Sequence, residues 1–119
     1  MKQNRSLALL GMAKKAGLLA VGGEAAANAA RRGDARLIIT ASDASEASVR
    51  RAKSSAEISG ARFMAVPFTM FELGSTAGRG SPGTIAFLDK GLADGFIKRL
   101  AETEDNEAAK ARCVKESDA

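Results

Sequence analysis

Along this chain apolar residues fall by turns at helical and at strand spacing, and a glycine or proline stands at nearly every change of period. Ser6 to Ala16 is a helical run holding Leu7, Leu9, Leu10 and Met12. Lys14 and Lys15 lie near its end, where cations complement the helix dipole, and Gly17 stops it. Leu18 to Val21 reads as a short strand. Gly22-Gly23 then opens a helix from Glu24 to Arg32, with Gly33 at its stop. Arg36 to Ala41 is apolar on both faces, which places it centrally in a sheet. Asp43-Ala-Ser-Glu46 has capping-box spacing and begins a helix to about Ser59, with Val49, Ala52 and Ala56 on one face. Gly60 ends it, and Phe63 to Val66 is a third strand closed by Pro67. Thr69-Met-Phe-Glu72 is a second capping box, flanked by Phe68 and Leu73 as a hydrophobic staple. Thr84 to Leu88 is the fourth strand. Asp89 caps a last helix whose Leu92, Phe96 and Leu100 form a stripe.

The order is α-β-α-β-α-β-α-β-α. Alternation on this scale implies a layered α/β sandwich with helices on both faces of a four-stranded sheet. It leaves open which strands run parallel. Residues 1–101 form this domain. Residues 102–119 hold only Cys113 and Val114 as sizeable apolar groups, so they are expected to fray from the last helix into disorder.

Chemistry is limited by what the chain lacks. It has no His, which removes imidazole metal sites, Ser–His and Cys–His nucleophilic pairs and the usual general acid–base residue. Its single Cys excludes an internal disulfide and a thiolate zinc cluster, and fits a reducing cytoplasm. No signal-peptide cleavage pattern follows Met1 to Leu10, and nowhere do 18 apolar residues run together, so neither secretion nor a membrane span is expected. Asp43 and Glu46 read as capping residues, and Asp34, Glu72 and Asp89 also sit at element ends. No constellation resembles an active site. The expectation is a cytoplasmic monomer that is not an enzyme and holds no metal or cofactor.

Charge is unevenly spread. Residues 1–101 hold 15 Lys/Arg against 8 Asp/Glu, and residues 102–119 hold 3 against 6, for a net +4. A basic body with an acidic tail points to a polyanion, nucleic acid before an anionic membrane surface. Two glycine motifs compete as its contact. Gly78-Arg79-Gly80-Ser81-Pro82-Gly83 is literally GxGxxG, but it follows a helix, precedes a strand and contains a proline. A dinucleotide fingerprint needs the reverse order, so that a helix N-terminus meets the pyrophosphate. The string is a flexible connector, or a place where Arg79 and backbone N–H groups meet a nucleic-acid backbone. Gly22-Gly23-Glu24 does stand where a strand hands over to a helix. Free N–H groups and a positive dipole end point outward there, with no side chain in the way.

Taken together, Leu10-Gly-Met-Ala-Lys-Lys-Ala-Gly17, Val21-Gly-Gly-Glu24 and the stretch from Gly33 through Leu37-Ile-Ile-Thr40 to Ala44 resemble the kink-turn RNA-binding ribosomal protein family. Phe71-Glu-Leu-Gly74, Ala77-Gly78 and Thr84 to Asp89 followed by Gly91 extend the likeness over about residues 5–101, nearest the bacterial YlxQ-like branch. The resemblance implies a three-layer α/β/α sandwich with a four-stranded mixed sheet. It also implies binding to kink-turns, sharply bent RNA helices with tandem sheared G·A pairs. Carried over by position, it assigns base contacts to Gly22, Gly23, Glu24 and Asn28, and contact with an extruded nucleotide to Arg79, Gly80 and Ser81. Lys14, Lys15, Arg31 and Arg32 are the expected phosphate ligands. The best-known members carry Asn, Glu and Lys along this helix, where the present chain has Glu24, Ala25 and Asn28. That departure motivates the alternative, a protein–protein interaction module on the same fold. With no Tyr or Trp, and the Phe residues expected in the core, recognition should rest on RNA shape and not on aromatic stacking.

Overall fold

The computed structural model describes residues 4–77 and 82–104. Five helices and four strands alternate among them: α1 (Asn4–Lys15), β1 (Leu19–Val21), α2 (Gly23–Arg31), β2 (Leu37–Thr40), α3 (Glu46–Ser59), β3 (Arg62–Ala65), α4 (Met70–Ala77), β4 (Thr84–Phe87) and α5 (Lys90–Glu104). The sheet order is β1-β4-β2-β3. β2 and β3 run parallel, and β4 runs antiparallel to both β1 and β2. The sheet is therefore mixed, and β2 is one of its two inner strands, as its doubly apolar sequence requires.

Side-chain alternation splits β2 between two cores. Leu37 and Ile39 join Leu10 of α1, Leu73 of α4, and Phe96 and Leu100 of α5 on one face. Ile38 joins Ala26, Ala29 and Ala30 of α2 and Ala52 and Ala56 of α3 on the other. The first layer is built from large side chains, with the Phe87 and Phe96 rings 5.0 Å apart. The second is almost wholly alanine, which lets α2 and α3 lie close to the sheet and to each other. This is the α/β/α sandwich.

Local signals hold where their partners are local. Thr69 and Glu72 form the reciprocal box, Glu72 N–H donating to Thr69 Oγ1 at 3.1 Å and Thr69 N–H to Glu72 Oε1 at 2.9 Å. Phe68 and Leu73, on either side of it, are both fully buried. Asp89 Oδ2 accepts from Leu92 N–H at 2.9 Å and caps α5.

Two expectations are corrected. The box proposed for Asp43 and Glu46 does not form. Ser45 caps α3 by accepting from Ser48 N–H at 3.1 Å, while Asp43 Oδ1 accepts from Met70 N–H at 2.9 Å, 27 residues away. The carboxylate serves α4 because the fold brings an unpaired helix-start donor to it. Nor are all the phenylalanines in the core. Phe63, Phe68, Phe87 and Phe96 are buried, but Phe71 on α4 is 74% exposed. It stands one position after Met70, where α4 turns its second residue outward. Arg79, Gly80, Ser81 and the tail with Cys113 lie outside the described residues.

Candidate functional site

Since β1 and β2 both run antiparallel to β4, they point the same way, and their C-terminal ends share one edge of the sheet with the start of β4. Backbone hydrogen bonds tie the turns there together. Gly22 N–H donates to Thr84 O at 2.8 Å, Ala41 N–H to Gly83 O at 3.0 Å, and Ser42 N–H to Phe68 O at 2.8 Å. The Gly22–Glu24 turn therefore sits on a rigid edge. Gly22 holds φ 108° and ψ 154°, a conformation that side-chain-bearing residues avoid. A Cβ placed on Gly22 or Gly23 would meet no atom of the described residues within 4 Å, so these leave the space over the turn open.

The first intrahelical bond of α2 runs from Ala26 N–H to Gly22 O at 2.9 Å, and no side chain caps this end. The N–H groups of Gly23, Glu24 and Ala25 thus lack intrahelical acceptors. Glu24 and Asn28 are exposed one turn apart along α2. The Arg31 guanidinium donates to Asn28 Oδ1, which leaves the two amide N–H donors of Asn28 for a partner.

Between α2 and α3 this edge continues into a groove of about 730 Å³. Gly23, Glu24, Ala27 and Arg31 line it from α2, Ser48, Arg51 and Ser55 from α3, and Gly83 and Thr84 stand at its head. Among the described residues no ion pair engages Arg31 or Arg51.

The structure brings together Gly22, Gly23, Glu24, Asn28 and Arg31, and separates the other cations from them. Lys14 and Lys15 close α1 before β1 begins, whereas the glycine turn follows its end, and α1 packs on the opposite face of the sheet. Arg32 lies at the far end of α2, where its Nε is 3.0 Å from Asp34 Oδ2. The contribution of α3 was missed by sequence reasoning. Its signal was a polar stripe, Ser48, Arg51 and Ser55, running beside the apolar stripe Val49, Ala52 and Ala56. Among the described residues no group of three or more His, Cys, Asp or Glu could hold a metal ion, and no helix is long and apolar enough to cross a membrane.

With this geometry in hand, the fold can be placed among known ones. The chain is similar in structure to a protein of unknown function from Bacillus halodurans, with a TM-score of 0.72 and 24% identity over 80% of this chain and 95% of that one. It is also similar to a 15.5 kD RNA-binding protein of Giardia lamblia, with a TM-score of 0.64 and 17% identity over 88% and 90% of the two chains. The class defined here is thus an α/β fold with a four-stranded mixed sheet and five helices, shared with these two proteins. No protein-family model matches the chain, and no curated protein matches it.

Proposed function

We propose that this protein binds structured RNA, at a kink-turn in a ribosomal or other non-coding RNA, through the turn at the head of α2. The observation that carries the reading is the helix start after Gly22, uncapped by any side chain, where the N–H groups of Gly23, Glu24 and Ala25 stand at a groove lined by Arg31 and Arg51, neither of them in an ion pair among the described residues. Backbone donors at a helix start suit phosphate oxygens and base carbonyls. The Glu24 carboxylate accepts from guanine N–H groups, and Asn28 donates from its amide. The likeness of the fold to that of the Giardia RNA-binding protein supports the same reading. Lys14 and Lys15, at the opposite edge, would reach only RNA that wraps around the domain, whereas Arg32, next to Arg31, is engaged by Asp34.

The test is a titration of the purified protein into a labelled kink-turn RNA at about 50 and 200 mM salt, with a duplex lacking the G·A pairs as control. Each phosphate contact should weaken binding by about 3.5-fold across that range, because the salt dependence is near 0.9 power per contact. Preference for the kink-turn with such a salt loss bears the reading out; equal weak binding to both RNAs refutes it. A second reading has one observation in its favour, the exposed Phe71, an apolar contact suited to a protein partner.

A further inference from the structure

We infer that the groove between α2 and α3 holds the sugar–phosphate backbone of one RNA strand, clamped between Arg31 and Arg51; this rests on the RNA-binding reading above and adds a wall and a ligand chemistry to it. Arg31 comes from α2 and Arg51 from α3, so one strand would meet a guanidinium on each side. Neither has a carboxylate partner among the described residues, and both are exposed, so neither is committed to holding the fold. Of the cations on α3, Lys53 is used otherwise, its Nζ lying 5.6 Å from the centre of the Phe63 ring.

The rest of the lining fits the same occupant. Ser48 and Ser55 add hydroxyl donors, and the N–H groups at the start of α2 lie at the head of the groove. Arg31 is eight residues from Gly23, about 12 Å along the helix, so donors are spread along the groove and not gathered at a point. An extended anion therefore matches the groove better than a single phosphate. Guanidinium groups in forked geometry are the strongest side-chain partners for phosphodiester oxygens. The apolar part of the lining is alanine, with no aromatic or large apolar side chain among the residues that line it to anchor a protein partner. Glu24 at the mouth repels phosphate, which favours a base edge at the head and backbone deeper in.

The experiment compares Arg51→Gln with Arg50→Gln on the full chain, using the kink-turn RNA and the control duplex at the two salt concentrations. Both changes remove one charge from adjacent exposed positions of α3, but only Arg51 lines the groove. Arg51→Gln should weaken binding and cut the affinity loss between about 50 and 200 mM salt by about 3.5-fold, the share of one phosphate contact. Arg50→Gln should leave that ratio nearly unchanged. Arg51→Lys should keep the salt dependence while binding more weakly, since a lysine retains the charge and loses the fork. Equal effects of Arg50→Gln and Arg51→Gln, or none from Arg51→Gln, overturn the proposal even where the wild-type protein prefers the kink-turn. If the wild-type protein binds both RNAs alike, the kink-turn reading falls, and the Arg50/Arg51 comparison on that binding still decides the groove. Wild-type protein that binds neither RNA overturns both.

Discussion

Thr40 offers a test of the physical reasoning that does not depend on function. It is fully buried at the end of β2, in register with Ala65 and Thr84, and among the described residues its Oγ1 has no hydrogen-bond partner. Strand alternation turns its side chain to the same face as Ile38, toward the alanine layer of α2 and α3. An unsatisfied buried hydroxyl costs about 1–3 kcal/mol, because it gives up water and gains nothing. Thr40→Val replaces that hydroxyl with a methyl of similar volume and keeps the β-branched shape a strand favours. In most buried sites this exchange destabilises, since the hydroxyl is bonded. Here the sign should reverse, with a gain of about 1–2 kcal/mol. For a domain of this size each kcal/mol raises the melting temperature by about 4–8 °C. Urea titration of both proteins should show a higher midpoint for Thr40→Val at unchanged slope. A lower midpoint at unchanged slope would mean that the hydroxyl is bonded in the folded protein, and the reasoning from its isolation would be wrong.

Two further predictions concern the turn and the phenylalanines. Gly22→Ala should cost about 1–3 kcal/mol in thermal unfolding from the backbone, because the added Cβ would meet no atom of the described residues; Gly23→Ala, which needs no positive φ, should melt like the wild type, so any loss of RNA affinity it causes reads the site alone. Phe96→Ala should cost about 3–5 kcal/mol in urea unfolding, as expected for a large side chain removed from the core beside Phe87, whereas Phe71→Ala should stay within about 0.5 kcal/mol.

What could be read from the chain alone was whatever physics keeps within a few residues. The Thr69–Glu72 box, the cap at Asp89, the glycine stops after α1, α2 and α3, and the Leu92–Phe96–Leu100 stripe each involve neighbours within about two turns. Their hydrogen-bonding partners and burial periods are written in adjacent positions. The alternation of these elements then implied layers. The glycine turn was legible for the same reason, since a strand followed by two glycines and a helix declares its own open N-terminus.

The tertiary structure decided everything that depends on partners distant in the chain. Asp43 has capping-box spacing to Glu46, yet the arrival of Met70 from 27 residues away takes its carboxylate for α4, and Ser45 caps α3. Strand directions were undetermined because hydrogen-bond pairing between β4 and its neighbours is set by packing, not by local spacing. The basic residues near the turn in sequence parted in space: the length of β1 and the opposite packing of α1 carry Lys14 and Lys15 to the other edge. Arg51, far from the turn in sequence, came to line the same groove as Arg31. A helix fixes the face on which a side chain stands within its own turn. Which neighbour that face meets depends on how two cores, one of large side chains and one of alanine, close against a single sheet.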